Sequence, residues 1–345
     1  MNIEERTAAF SGLGSVIGDY LDQNLTGDYK RVLDDAVYRA EVFNPWFTKD
    51  FIRLALGSVA RNLTHDNLQN FVSGYSFGNT PRKIAVIMAG NLPLVGFHDF
   101  LSVLISGNIF LGKLSSKDKF LLPALAGILM DIDSGFKEKI VFEEEILKGF
   151  DAVIATGSNN SGRYFDYYFG RYPSVIRRNR NSVAVIGSGD GEDVFSAVAS
   201  DAMYYFGLGC RSVSKLYVPQ GFDFVPFLDA FENFGNLAEN TKYFNNYEYN
   251  KSVFLINGIP HLDTGFLLLK EDESLASPIA VLHYEYYDDI DVLNRKLMTM
   301  QNRLQCVVSS KAPEKGFVKP GTTQFPALDD WADGVDILDF LSRLQ

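Results

Sequence analysis

The sequence is poor in the residues that build disulfide frameworks, metal sites and nucleic-acid surfaces. It contains two cysteines and four histidines in 345 residues. Two cysteines far apart in sequence form neither a disulfide framework nor a zinc-ligand pattern, so we expect reduced thiols and no metal. No cluster of lysines and arginines offsets the net charge of -11. A nucleic acid or an anionic membrane is therefore disfavoured as the main partner.

Long apolar runs are also missing. The longest nearly apolar run, FLLPALAGILM from Phe120, is too short to span a bilayer. The first residues, MNIEERTAAF, are acidic where a secretory signal would be basic and then apolar. We therefore expect no membrane span and a cytoplasmic location. Hydrophobic residues make up 46% of the chain and charged residues 22%, the balance of an ordinary globular protein.

The first half of the chain predicts a doubly wound α/β domain. Residues 1–80 place apolar side chains at helical spacing and predict a helical lead-in. From Lys83 onward, short runs that are apolar throughout alternate with helical stretches; the runs are KIAVIMAG, NIFLGKL, KEKIVF and DAVIATGS. Strands that are apolar on both faces indicate a parallel sheet covered by helices on both sides. We assign residues 81–180 to this sheet domain.

A second α/β domain is predicted over residues 181–310. Its strand candidates are SVAVIG, SKLYVP, KSVFLI, GFLLLK and IAVLHYEYY. They alternate with the helix candidates EDVFSAVASDAMYYF, DFVPFLDAFENF and IDVLNRKLMTM. Residues 311–345 mix turn residues with a short helix pattern and are expected to form an arm that packs on another domain or subunit.

The stretch YFGLGCRSVSKLYVP, residues 205–219, carries the strongest chemical signal. Cys210 follows Gly207 and Gly209, which would let a ligand approach the backbone. The neighbouring Arg211 would favour the thiolate, so the thiol could serve as a nucleophile. The competing interpretation is a small buried hydrophobe, the usual role of a free cysteine. Cys306, inside the apolar LQCVVSS, is predicted to be a core residue.

A thiol that attacks a carbonyl needs a group to stabilise the oxyanion. Asn91 in MAGNLPL follows the first predicted strand, at the edge where ligands meet open α/β sheets. Its amide could donate to an oxyanion, or it could only cap the turn before Pro93. The four histidines share no motif with Cys210, so we interpret them as surface or hydrogen-bonded core residues, and a Cys/His hydrolase is unsupported.

The order of these segments resembles the aldehyde dehydrogenase superfamily over about residues 80–310. Asn91, LGKLSS, VIATGSNNSGR, the cysteine that opens the second domain and SPIAVLHY occur in the superfamily's order. The tail GTTQFPALDDWADGVDILDFL is similar to the end of the fatty acyl-CoA reductases related to the reductase of bacterial bioluminescence. The resemblance implies an aldehyde dehydrogenase-like fold, with a cofactor domain followed by a catalytic domain.

The resemblance also implies roles for individual residues. Cys210 would be the nucleophile, and Asn91 would stabilise the oxyanion together with the Cys210 backbone N–H. Cofactor-binding positions would be Lys113 at the adenosine ribose, with Ser115 and Ser116 beside it, Thr156, Gly157 and Ser158 at the pyrophosphate, and Glu273 at the nicotinamide ribose. Glu273 lies one residue further from Pro278 than the usual pattern requires. Ser116 is uncharged where relatives restricted to NAD often have a glutamate, so we expect NADPH, with NADH as a second option.

One departure from the superfamily bears on the reaction. Members that oxidise aldehydes have a glutamate about 33 positions before the cysteine, which activates water. Here Arg177, Arg178 and Arg180 occupy that region. An acyl-enzyme without this base can exchange with a thiol or accept hydride instead of being hydrolysed. The arginines themselves could form surface salt bridges, or one of them could hold a phosphate of coenzyme A or of the cofactor.

The sequence therefore predicts an enzyme that reduces acyl-CoA, or another acyl thioester, to an aldehyde with NAD(P)H. Coenzyme A would enter as part of the substrate, and the partner could be a second copy of the chain or a protein that donates the acyl group. Two alternatives use the same residues: an acyltransferase or thioesterase that employs Cys210 without hydride, and an inactive subunit of a reductase complex. A hydrolytic aldehyde dehydrogenase is disfavoured because the base is missing.

Overall fold

The computed structural model describes residues 1–157, 159–311 and 317–344. It divides the chain into two compact units. Unit 1 comprises Met1–Asn179 and Ala327–Gln345, and unit 2 comprises Arg180–Pro326. Both units combine helices with a mostly parallel sheet, so the predicted α/β class is confirmed.

Unit 1 begins with helices whose first turns are capped by polar side chains. Asn2 and Glu5 form a reciprocal capping box on the first helix, and Thr48 and Thr64 cap the third and fourth helices. Four helices precede the first strand in the segment that the sequence predicts as helical. The helices of this part of unit 1 are α1 (Ile3–Leu21), α2 (Gly27–Phe43), α3 (Lys49–Asn62), α4 (His65–Val72), α5 (Phe97–Ile105), α6 (Leu121–Ile132) and α7 (Asn159–Phe169).

The sheet of unit 1 has five parallel strands in the order β3-β2-β1-β4-β5. The strands are β1 (Lys83–Ile87), β2 (Ile109–Lys113), β3 (Ile140–Phe142), β4 (Ala152–Thr156) and β5 (Ser174–Arg177). The middle residues of β1, β2 and β4 are buried, as expected for strands covered on both faces. The chain reverses its direction of strand addition between β1 and β4, and this makes the β1/β4 carboxyl edge a topological switch point.

Unit 2 carries a seven-stranded sheet in the order β12-β11-β6-β7-β10-β9-β8. The strands are β6 (Asn181–Val185), β7 (Val213–Pro219), β8 (Leu262–Asp263), β9 (Leu268–Glu271), β10 (Val281–Tyr287), β11 (Leu304–Ser309) and β12 (Phe317–Val318). Only the pairing of β8 with β9 is antiparallel among the described strands. The helices are α8 (Glu192–Met203), α9 (Phe224–Asp229), α10 (Thr241–Ile256) and α11 (Ile290–Thr299), and the last helix, α12 (Ile337–Ser342), belongs to unit 1.

One predicted strand is wrong. The segment KSVFLI, residues 251–256, forms the end of helix α10. The Asn240 side chain caps this helix by accepting the N–H groups of Lys242 and Tyr243. The buried residues of α10 are Tyr243, Tyr247, Asn250 and Phe254, which are spaced by three or four positions and so lie on one helical face. The short apolar run was misread because its period was judged without the residues before it.

No helix in the described ranges combines the length and the apolar character that a transmembrane helix requires.

Candidate active site

Cys210 lies in the loop between α8 and β7, and its side chain is exposed. Between α8 and Cys210 the chain makes a turn in which three successive residues have positive φ: Tyr205 at 55°, Phe206 at 57° and Gly207 at 71°. Left-handed backbone is costly for two bulky aromatic residues, and such strain persists only where the surroundings enforce it. Both aromatic side chains are buried, which anchors the turn.

Residues 207–212 carry the candidate nucleophile Cys210, and we call them the nucleophile loop. A buried serine of the sheet holds this loop in place. The Ser182 hydroxyl in β6 donates to the Cys210 carbonyl oxygen over 2.9 Å. The Ser182 hydroxyl oxygen in turn accepts the backbone N–H of Cys306 over 3.1 Å. Ser182 is fully buried, so a single hydroxyl links the cysteine backbone to two neighbouring strands of the sheet.

A second set of contacts joins the nucleophile loop to residues 321–324. The Ser212 hydroxyl accepts the N–H of Gly209 at 3.2 Å and the Gln324 amide at 3.3 Å. Asp201, in the last turn of α8, accepts the N–H groups of Gly321 and Thr323 and the Thr323 hydroxyl. Burial raises the pKa of Asp201, against these three hydrogen bonds. Sequence reasoning missed this network, although an aspartate within the otherwise apolar AVASDAM was a usable signal.

The other cysteine has the opposite surroundings, as predicted. Cys306 is buried in β11. The Nη1 atom of Arg211 lies 3.4 Å from the Cys306 Sγ atom. Arg211 therefore contacts the buried thiol of Cys306, and its effect on the Cys210 thiolate stays a prediction. Three histidines contact backbone carbonyls, in agreement with their interpretation as hydrogen-bonded residues: His98, His261 and His283.

Asn91 is exposed in the turn that follows β1. This turn includes Leu94, which has a φ of 58°. The Asp118 carboxylate, in the loop after β2, accepts the Leu94 N–H over 2.9 Å. Burial raises the pKa of Asp118 to about 6, against hydrogen bonds from Leu94 and Leu121 that favour the ionised form. Asp118 thus holds the turn that presents Asn91.

The loops after β1 and β2 approach closely beside Asn91. A Cβ atom added at Gly90 would collide with the Ser115 side chain. Glycine is required there because any larger residue would force the two loops apart. Ser115 is partly buried in this contact, and Ser116 is exposed next to it. The structure therefore brings Asn91 and the predicted cofactor residues of LGKLSS to one edge of the sheet.

Further cofactor candidates end the neighbouring strands at the same edge. Lys113 ends β2, and its Nζ atom contacts the carbonyl oxygens of Glu144 at 3.3 Å and Glu145 at 2.5 Å. Thr156 ends β4, and the Gly157 N–H continues the sheet by donating to the Arg177 carbonyl at 3.2 Å. Ser158 lies outside the described residues.

The donors at this edge fit a dinucleotide. An ammonium group, several hydroxyls and the start of α7 surround the β1/β4 switch point, where open α/β sheets bind ligands. Hydroxyls and an ammonium suit ribose oxygens, and a helix start suits a phosphate. Two of the three Lys113 ammonium donors are directed at backbone carbonyls, which fixes the side chain for a contact through the third.

The arginines before unit 2 have separate surroundings. Arg177 is buried at the end of β5, and its Nη1 contacts both Asp99 carboxylate oxygens at 2.8 and 2.9 Å. The expectation of a surface salt bridge is wrong for this residue, because Asp99 is itself buried in α5. The Arg178 side chain is exposed and packs against Gly162 in the first turn of α7. In unit 2, Arg180 donates to the carbonyls of Gln301 and Leu304.

Glu273 follows β9 in unit 2 and is exposed. Its carbonyl oxygen accepts a hydrogen bond of 2.8 Å from the buried Lys215. The predicted residues thus fall into two groups. Cys210 and Glu273 belong to unit 2, whereas Asn91, Lys113, Ser115, Ser116, Thr156 and Gly157 belong to unit 1.

The fold is that of the aldehyde dehydrogenases. The aldehyde dehydrogenase KauB from Pseudomonas aeruginosa aligns with a TM-score of 0.64 and 12% identity, over 92% of this chain and 73% of that one. The indole-3-acetaldehyde dehydrogenase AldA of P. syringae, in complex with NAD+, aligns with a TM-score of 0.63 and 14% identity, over 92% of this chain and 74% of that one. The aldehyde dehydrogenase of Mycobacterium tuberculosis, complexed with NAD+, aligns with a TM-score of 0.63 and 13% identity, over 90% of this chain and 73% of that one.

Within that class, the sequence identifies a particular family. The acyl-CoA reductase (LuxC) family profile matches residues 35–226, more than half of the chain. The chain belongs to this family. A long-chain acyl-protein thioester reductase 2 from Photobacterium leiognathi is 23% identical over 150 residues, which are 39% of this chain. The match spans 31% of that relative, about a third of its length.

Proposed function

We propose that this chain reduces acyl thioesters to aldehydes through an acyl-enzyme on Cys210. The proposal is carried by the contrast between two thiols. Cys210 is exposed on a loop whose backbone is tied to the sheet, whereas Cys306 is buried in a strand. A nucleophile must reach its substrate and be held in place, and Cys210 meets both conditions.

In the proposed reaction, the Cys210 thiolate attacks the thioester carbonyl carbon. The Asn91 amide and the Cys210 N–H donate hydrogen bonds to the oxyanion, the carbon–sulfur bond to coenzyme A breaks, and the acyl group remains on Cys210. When bound, a nicotinamide cofactor supplies hydride for the acyl carbonyl. The oxyanion that hydride addition leaves on Cys210 then re-forms the carbonyl as the bond to Sγ breaks, which releases the aldehyde and regenerates the thiolate.

The cofactor is proposed to bind at the β1/β4 edge, with Lys113 at the adenosine ribose and Thr156, Gly157 and Ser158 at the pyrophosphate. The exposed, uncharged Ser116 supports NADPH over NADH, because a carboxylate at that position would repel a 2′-phosphate. The acyl donor is proposed to be acyl-CoA. An acyl-protein thioester is the second candidate, because the Photobacterium relative is named for that substrate. We place the reaction in the cytoplasm, since NADPH and acyl-CoA would both have to be supplied there.

Hydrolysis of the acyl-enzyme is proposed to be slow. Arg177 and Arg178 occupy the region where a water-activating glutamate would be expected, and Arg177 is engaged with Asp99. General-base assistance is typically worth about 10²–10⁴ in rate. Without it, a thioester on Cys210 would persist until hydride or a thiol removes the acyl group.

The test uses labelled acyl-CoA with the wild type, Cys210→Ala and Cys306→Ala. Intact mass spectrometry without NADPH should show one acyl group on the wild type and on Cys306→Ala, and none on Cys210→Ala. Addition of NADPH should convert the adduct to aldehyde, with little free acid. Acylation of Cys210→Ala would refute the mechanism. Rapid release of acid without NADPH would indicate a thioesterase, transfer without NADPH consumption an acyltransferase, and no reaction at all an inactive subunit.

A further inference from the structure

Three successive backbone carbonyls after β9 are each bound by a side chain from a neighbouring strand. Lys215 Nζ donates to the Glu273 oxygen at 2.8 Å, His283 Nδ1 contacts the Ser274 oxygen at 3.1 Å, and Ser214 Oγ donates to the Leu275 oxygen at 2.7 Å. Asp272 closes the start of this segment by accepting the Ser274 N–H at 2.8 Å. We call residues 272–275 the clamped segment. Loops rarely have three successive carbonyls occupied by side chains, because most loop carbonyls face water.

Lys215 is the unusual member of this clamp. Its side chain is fully buried in β7, and lysine is almost never fully buried unless it is paired. The ammonium contacts Glu285 Oε2 at 2.6 Å and lies 5.0 Å from the Tyr217 ring. Lys296 contacts the other Glu285 oxygen and lies 5.4 Å from the same ring. Both carboxylate oxygens of Glu285 therefore contact a lysine. Lys215 differs from Lys296 in that it also donates to the Glu273 carbonyl.

The clamped segment shares its supports with the nucleophile loop. The Ser214 hydroxyl that binds Leu275 also lies 3.3 Å from the Ser182 carbonyl oxygen. The Ser182 hydroxyl donates in turn to the Cys210 carbonyl at 2.9 Å. Leu275 packs with Val183 and Tyr217 in the buried core of unit 2. The backbones of Glu273 and Cys210 are thus held by the same pair of strands, β6 and β7.

The clamp leaves one side chain available for a ligand. Ser274 is engaged with Asp272 through both its N–H and its hydroxyl, and Leu275 is buried. Glu273 is exposed, with its backbone fixed. A carboxylate has two acceptor oxygens and can receive hydrogen bonds from two adjacent hydroxyls of a sugar ring. A fixed backbone lowers the cost of ordering such a side chain on binding.

We infer that Lys215 is a positioning residue, which holds the Glu273 carbonyl so that the Glu273 carboxylate binds a ribose diol of the nicotinamide cofactor. The inference rests on the proposed function for the identity of the ligand. The clamp itself does not depend on the proposed function, because every contact that forms it lies within unit 2. Lys215 acts through Glu273 and does not itself contact the cofactor.

The test compares Lys215→Met with the matched control Lys296→Met. Each variant removes one lysine from Glu285 and leaves the other, but only Lys215→Met removes the donor to Glu273. Hydrogen exchange without cofactor should be at least about tenfold faster at the amides of residues 273–276 in Lys215→Met and unchanged there in Lys296→Met. The NADPH dissociation constant, measured by nicotinamide fluorescence, should rise about 10- to 100-fold only in Lys215→Met.

A double-variant cycle shows whether Lys215 acts through Glu273. Glu273→Gln should weaken NADPH binding by itself, and adding Lys215→Met to it should change the dissociation constant little further, because coupled residues are not additive. Ser214→Ala removes the bond to Leu275 and the longer contact with the Ser182 carbonyl, and it keeps the Lys215 bond to Glu273. It should shift binding and exchange in the same direction by a smaller factor, and it replaces Lys215→Met if that variant does not fold. Equal effects of the two lysine variants, or additive effects of Lys215→Met and Glu273→Gln, would overturn the inference.

Acylation of Cys210 without NADPH separates this inference from the proposed function. Its rate in Lys215→Met should stay within about twofold of the wild type, because the Ser182 bond to Cys210 is retained. A wild type that binds NADPH but is never acylated would refute the proposed function and leave the clamp supported by exchange and binding. Equal loss of acylation and NADPH binding in Lys215→Met would assign Lys215 a general structural role and overturn the inference.

Discussion

Each unit of the molecule contains an ion pair whose cation is buried beside the sheet, and the two pairs are used differently. In unit 1, Arg177 joins Asp99 and links β5 to α5; within the described residues, its Nε and Nη2 atoms find no hydrogen-bond acceptor. In unit 2, Lys215 joins Glu285 and also bonds the carbonyl of an exposed loop residue. The first pair connects two buried elements, and the second extends from the core to a loop. Burial of the cation therefore does not identify the role of an ion pair. The role depends on what the other donor atoms of that cation contact.

This comparison assigns stability to the first pair and positioning to the second. Burial opposes ionisation of Glu285, but the hydrogen bonds from Lys215 and Lys296 outweigh it and hold the pKa of this carboxyl below its ordinary value. Glu285 therefore keeps one lysine partner after loss of the other. Within the described residues, the Asp99 carboxylate is in salt-bridge contact with one cation, Arg177. Removal of one partner should therefore be more damaging in unit 1.

The largest expected effect is on the stability of unit 1. Arg177→Met leaves the Asp99 carboxyl buried without its cation, which typically costs about 3–5 kcal/mol. Urea unfolding should show this loss, and the double variant Arg177→Met with Asp99→Asn should recover part of it. If Arg177→Met unfolds no more easily than Lys296→Met, the two ion pairs do not differ as described.

The second prediction concerns the chemical role proposed for Asn91 of unit 1, as opposed to stability or cofactor binding. Removal of one oxyanion donor typically costs about 10²–10³ in rate, or about 3–4 kcal/mol. Asn91→Ala should therefore slow acylation of Cys210 by that factor in a single-turnover assay. NADPH binding and the urea midpoint should change little, in contrast to the effects of Lys215→Met and Arg177→Met. Acylation at the wild-type rate would reassign Asn91 to a turn-forming role.

The smallest effect concerns Asp118, which holds the turn beside Asn91. Burial raises the folded-state pKa of Asp118 to about 6, above the ordinary value of 3.8 for an aspartate, so the folded state binds the proton more tightly. The resulting stabilisation is complete below about pH 4 and is lost as the pH rises through 6, by up to about 3 kcal/mol. Asp118→Asn keeps an acceptor for the Leu94 N–H but does not titrate. Its unfolding free energy relative to the wild type should therefore increase between pH 4.5 and 7.5, and a difference independent of pH would contradict this.

Local patterns in the sequence predicted most of the sheets and the environment of one of the two thiols. Buried parallel strands are apolar along their whole length, so β1, β2 and β4 could be recognised without any tertiary information. Cys306, within an apolar strand, could be assigned to the core for the same reason, whereas the local pattern around Cys210 allowed both an exposed nucleophile and a small buried hydrophobe.

The contacts that hold the candidate site could not be predicted in this way. The bonds from Lys215 to Glu273 and from Asp201 to Thr323 join residues far apart in sequence, and only the folded chain brings them together. Their sequence signal was a charge inside an apolar segment, SKLYVP for Lys215 and AVASDAM for Asp201. Such a charge indicates that a partner exists, because an unpaired buried charge is too costly, but it does not say which residue the partner is.

The bonds between Asp201 and residues 321–323 limit where the chain can be divided. A fragment that ended near residue 310 would contain the nucleophile and every strand of its sheet except β12. It would nevertheless leave the Asp201 carboxylate buried without the two N–H groups and the hydroxyl that it accepts. It would also remove Gln324 from Ser212, and with it one support of the cysteine loop. A self-sufficient catalytic fragment must therefore extend to Pro326, where unit 2 ends.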